Sequence, residues 1–97
     1  MRLIVDMNII CLAPGSGSYV YAVFRKEFET DLVPMVGMGL EDPAWKESRI
    51  IKSITINPAQ GYYFLHVGNE SGNDKDQCEQ FKQMYYQHGW HRPAEVR

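Results

Sequence analysis

A chain of 97 residues that is 44% apolar can bury one modest core, so a single domain spanning residues 1–97 is expected. Its formal net charge is −2, with acids and bases interleaved, which argues against the concentrated Lys/Arg face that releases phosphate counterions in nucleic-acid binders. No window approaches the roughly 20 apolar residues of a membrane span.

Residues 2–12, RLIVDMNIICL, alternate: Leu3, Val5, Met7, Ile9 and Cys11 share one face, and Arg2, Asp6 and Asn8 the other, as in a half-buried strand. Asp6 and Asn8 also break the apolar run that would otherwise look like a signal-peptide core. The Gly/Ser connection APGSGS leads to YVYAVFRKEFET (19–30), a second strand with Val20, Ala22, Phe24 and Phe28 on its inner face. Residues 48–57, SRIIKSITIN, predict a third strand. NPAQG then offers Pro and a positive-φ Gly for a hairpin loop, and YYFLHVG (62–68) is the partner strand.

From Asp74 the period becomes helical. Asp74 with Gln77 forms a capping-box arrangement, and Cys78, Phe81, Met84, Tyr85 and His88 make one stripe, while Glu79, Lys82, Gln83 and Tyr86 face solvent. Gly89 suits a left-handed C′ position, Trp90 can pack back near Tyr85, and Pro93 ends the element; the tail 91–97 is expected to be loosely held. The order predicts an α+β domain: a curled antiparallel, meander-like sheet of four or more strands with one C-terminal amphipathic helix packed on it.

Residues that could carry chemistry are scattered. Cys78, His66, His88 and His91 lack the spacing of a zinc knuckle, so no metal or other cofactor is expected. Cys11 and Cys78 fall on core faces, where a thiol is a small hydrophobe and not a nucleophile, and two lone cysteines suit a reducing, cytoplasmic location. GSGS lacks the Lys and strand-to-helix context of a phosphate loop. QGYYFLHV (60–67) partly matches the aromatic strand of single-stranded RNA platforms. Gly61, Tyr62, Phe64 and Leu65 fit; Gln60, Tyr63 and Val67 do not, and the helices which that fold requires are missing from the pattern.

The stretch LVPMVGMGLEDPAW (32–45) combines loop residues with Leu32, Val33, Met35, Val36, Met38, Leu40 and Trp45. Leu32, Val33 and Val36 are expected to be buried as a continuation of the second strand. Met38, Leu40 and Trp45 are expected to be more accessible, because Gly37 and Gly39 loosen the chain and Glu41–Asp42 must reach water. Met and aromatic residues suit a contact patch, so Met38, Leu40 and Trp45 are the candidate binding residues of a small non-enzymatic interaction domain, with a protein partner or self-association as a homodimer. The alternative is a ligand-binding or enzymatic β-barrel whose cavity is lined by Met7, Phe24 and Phe64.

Overall fold

The computed structural model describes residues 1–15 and 17–93. Strands β1 (Arg2–Ala13) and β2 (Gly17–Glu29) form a long antiparallel hairpin. Gly15 and Gly17, at φ 78° and 85°, supply the left-handed backbone that its tight connection needs. Leu3, Val5, Met7, Ile9 and Cys11 are all buried on one face, as their alternation predicts, and Phe24 sits opposite Met7 with both fully enclosed. Burial of this kind stabilises by about 1.5–3 kcal/mol per large apolar side chain.

A bulge between Ile9 and Ile10 then alters the register. Val20 falls opposite Ile10 and is 53% exposed, so it leaves the inner face that simple alternation gives it. The extra residue, Tyr21, is turned toward the helix and packs against the core.

Short β3 (Gly39–Leu40) and β4 (Arg49–Ile50) pair with each other, and β5 (Ser53–Asn57) forms the expected hairpin with β6 (Tyr62–His66) through Gly61 at φ 74°. Residues 48–52, expected as the start of the third strand, instead supply β4 and the link into β5. The main sheet runs β2-β1-β6-β5, and β7 (Glu70–Gly72) also pairs with β1. It is largely antiparallel, with one departure from a meander: β6 and β7 run parallel to β1 on the edge that β2 leaves free. They act as one interrupted strand, and the Asn8 amide donates to the Asn69 side chain at 3.2 Å across the interruption.

Helix α1 (Lys75–Gln87) begins at Asp74, whose carboxylate accepts from the Gln77 amide at 2.8 Å; the Gln77 side chain accepts in turn from the Asn73 amide at 2.6 Å. Cys78 and Tyr85 are buried, with Phe81 and Met84 packed beside them. Tyr86, expected in solvent, instead meets Phe24 edge-on at 5.1 Å, while His88 is exposed at the helix end. Gly89 takes φ 85°, the Trp90 amide returns to the Tyr85 carbonyl at 3.0 Å, and His91 then bridges antiparallel to Arg25. Residues 94–97, the end of the tail expected to be loose, lie outside the described residues.

The helix covers the Met7–Cys11 end of the sheet, and the segment 30–52 crosses the same face from β2 to β5, burying Ala44, Trp45 and Ile51. The sheet is not a closed barrel, since β2 and β5 are its two ends. Met7 and Phe24 are packed under the helix, whereas the β1–β6 register puts Phe64 on the opposite face, so these three residues line no common cavity. Among the described residues no helix is long and apolar enough to cross a membrane.

Candidate functional site

Two features of the crossing segment could carry function, one buried and one exposed. The buried one is a polar brace. Asp42, expected to reach water, has a fully enclosed side chain that accepts from Lys26 Nζ at 2.7 Å, Trp90 Nε1 at 2.9 Å and the Ala44 amide at 3.0 Å. Burial pushes its carboxyl up, but these three donors outweigh that and hold it below the usual carboxylate range. Lys26 also donates to the His88 carbonyl at 2.7 Å, so a single ammonium ties β2 to the crossing segment and to the helix end.

Beside it lies a second chain of bonds. Trp45 Nε1 donates to Tyr85 Oη at 3.0 Å, Tyr85 donates to Glu70 at 2.8 Å, and Arg49 pairs with Glu70 at 2.9 Å while its guanidinium lies 5.2 Å from the centre of the Trp45 ring. Burial, then the bond to Glu70, raises the Tyr85 phenol above its ordinary range. Trp45 is therefore a core residue at 9% exposure, not part of an accessible patch. The expectation failed because Asp42 was assumed to pull its neighbourhood into water. Lys26 and Trp90 supply the partners that water would have supplied.

Among the described residues no buried side-chain nitrogen or oxygen lacks a hydrogen-bond partner. Clefts of about 410 and about 540 Å3 flank the 41–49 loop; of the charged groups beside them, Asp42 is paired with Lys26 and Arg49 with Glu70, while Glu41, Lys46 and Glu47 are exposed. The brace ties the loop to β2, the helix and β7.

The exposed feature is the first half of the same segment, where the burial pattern is the reverse of that expected. Leu32 is 77% exposed and Val33, Met35 and Val36 are each above 60%, with Met38 at 45% and Leu40 half-buried. The chain leaves β2 at Thr30, whose hydroxyl accepts from the Leu32 amide, and only Pro34 of the next five residues is buried. Leu32, Val33, Met38 and Leu40 border an apolar groove of about 360 Å3, and Met35 and Val36 lie between them in the chain. Leu3, Leu65 and Ile51, all buried, form its base, with Phe28 and Leu40 beside them and Leu32, Val33 and Met38 on the outer side. Across the sheet at this end the register continues the apolar row through Phe28, Leu3, Tyr63 and the exposed Ile56.

The remaining sequence candidates do not converge. Cys11 and Cys78 are buried on the helix side, while His66, opposite Asp6, is exposed on the other face. Burial, then the neighbouring Cys11, pushes the Cys78 thiol up to about 11, the reverse of what a nucleophile needs. Among the described residues no three His, Cys, Asp or Glu side chains are grouped to hold a metal. On the open face Tyr62 and Phe64 lie beneath Arg2 and Arg25, at 5.6 and 5.5 Å, but these guanidiniums pair with Glu27 at 3.5 Å and with Asp6 at 2.7 Å. Each of these guanidiniums thus has a carboxylate partner of its own.

Comparisons with protein-family models, with curated proteins and with solved structures find no match.

Proposed function

We propose that this protein is a small non-enzymatic binding domain whose contact surface is the groove formed by residues 28–41 together with the apolar side chains on its lip. One observation carries the reading: four side chains of a seven-residue stretch, Leu32, Val33, Met35 and Val36, are each more than 60% exposed, and Met38 follows at 45%. Scattered apolar residues on a surface need no explanation, but a contiguous set beside a concave apolar groove marks a contact site. Met35 and Met38 give such a surface side chains that adapt to a partner's shape.

Of the residues first singled out, Met38 and Leu40 belong to this surface, and Trp45 supports it from within through Tyr85. The brace contributes rigidity: with 42–45 and 49–51 anchored to the helix and sheet, the groove keeps its shape before a partner arrives, which lowers the ordering cost of binding. The partner is another protein chain, and self-association is the competing occupancy.

The test uses the purified protein and its Val36→Asp/Met38→Asp variant, immobilised in parallel and exposed to extract of the native host. A protein retained by the original chain and lost from the variant, at unchanged thermal stability, supports the reading. Identical retention by both would contradict it. Sedimentation equilibrium of both proteins separates a foreign partner from a second copy.

A further inference from the structure

The charges around the groove restrict what can enter it, and this step rests on the binding reading above. Glu29 and Glu41 line the groove, with Asp31 next to it in the chain; among the described residues no Lys or Arg side chain lines it, and the one cation at its edge is the N-terminal ammonium, which donates to the Thr30 carbonyl at 2.7 Å. Glu29 has a side chain 81% exposed, with only the N-terminal ammonium near it at 4.0 Å. Asp31 and Glu41 are exposed and have no ion-pair partner among the described residues. Three of the less exposed acids are paired closely instead, Asp6 with Arg25, Asp42 with Lys26 and Glu70 with Arg49, each at 3.0 Å or less. The groove therefore has an apolar floor and a rim on which carboxylates outnumber the single N-terminal ammonium.

We propose that the groove binds a cationic amphipathic segment of another protein, its apolar side chains seated on Phe28, Leu32 and Met38 and its flanking Lys or Arg residues set against Glu29 and Glu41. Complementary rim charge steers encounter and selects partner and register. The same charges argue against the other occupants. A second copy docked about a twofold axis would bring two copies of this surface into one contact, neither with a Lys or Arg side chain lining its groove among the described residues. An anionic membrane surface would be repelled in the same way.

The experiment is a fluorescence-anisotropy titration of the full chain with three labelled peptides that share leucines at helical spacing and carry lysine, glutamine or glutamate between them. The expected result is that the Leu/Lys peptide binds at least roughly tenfold more tightly than the Leu/Gln peptide, with the Leu/Glu peptide weakest and the preference falling as salt rises. Glu29→Lys/Glu41→Lys should abolish the preference while leaving the circular dichroism spectrum and melting temperature unchanged, since both side chains are outside the core. Leu32→Asp should weaken all three peptides. Equal binding of the Leu/Lys and Leu/Gln peptides would overturn this inference and leave the binding reading standing. Absence of binding by any peptide, a preference that survives the double charge reversal, or dimerisation that Leu32→Asp abolishes would each overturn it as well.

Discussion

Replacing Lys26 with Met keeps the length and apolar stem of the side chain and removes only its charge. The Asp42 carboxylate would then stay fully enclosed with Trp90 Nε1 at 2.9 Å and the Ala44 amide at 3.0 Å as its remaining donors. Stranding a buried charge in this way costs about 3–5 kcal/mol, and the His88 carbonyl loses its ammonium donor at 2.7 Å for roughly 1 kcal/mol more. The pH dependence has a definite sign. In the parent chain the folded-state pKa of Asp42 is lowered, so its contribution is fully present above the unfolded carboxylate value, about 3.9, and is lost as pH falls through the lower folded value. In Lys26→Met the burial effect meets less opposition, the folded pKa rises, and protonation relieves the stranded charge as pH falls through it. Urea denaturation followed by circular dichroism should therefore give a large deficit at neutral pH that narrows as pH falls through the raised folded-state pKa. Adding Asp42→Asn to Lys26→Met should recover part of the neutral-pH loss. A deficit under about 1 kcal/mol at neutral pH, or one that does not change with pH, would refute the claim that this pair is a buried, coupled brace.

Trp45→Ala should cost about 3–5 kcal/mol, read as a lower urea midpoint, because the ring is buried and packs 5.6 Å from Trp90 as well as bonding Tyr85. Gly72→Ala should destabilise by about 1–3 kcal/mol, since a methyl group there would stand 2.3 Å from Cys78 Sγ and 3.1 Å from its backbone nitrogen, and Cys78→Ala in the same chain should restore only the part due to the sulfur in thermal melts. Both thiols should react with an aromatic disulfide reagent far more slowly in the folded chain than in urea, as expected for buried cysteines of which Cys78 has its pKa raised to about 11.

The parts of this fold legible in the sequence are those fixed by local chemistry. Alternation in β1 separates Leu3, Val5, Met7, Ile9 and Cys11 from Arg2, Asp6 and Asn8, and NPAQG dictates the β5–β6 hairpin; Asp74 and Gly89 bound the helix through their own caps. The parallel pairing of β6 with β1 was not legible, because alternation constrains which face a residue occupies and says nothing of strand direction. The bulge that exposes Val20 and admits Tyr21 is likewise invisible in a period-two pattern.

For the candidate surface, the sequence located the segment but inverted it. Composition marked residues 32–45 as too apolar for an ordinary loop, and Met38 and Leu40 do belong to the groove. The assignment of Leu32 and Val36 to the core assumed that β2 continues past Glu29, whereas the chain turns at Thr30. Trp45 was assigned to solvent because of the neighbouring Asp42, whose partners Lys26 and Trp90 lie 16 and 48 residues away. A carboxylate followed by Pro-Ala-Trp, with an unassigned lysine on an inner strand face, is the signal that could have revealed the brace.

The central claim is that residues 28–41 form the binding surface, and backbone amide NMR of the 15N-labelled chain titrated with the Leu/Lys peptide tests it most directly. The account predicts chemical-shift changes confined to residues 28–41 with Leu3, Ile51, Tyr63 and Leu65, and their loss in Leu32→Asp. Shifts centred on the outer face of α1 or on Tyr62 and Phe64 of the open face, with residues 32–38 unmoved, would contradict it.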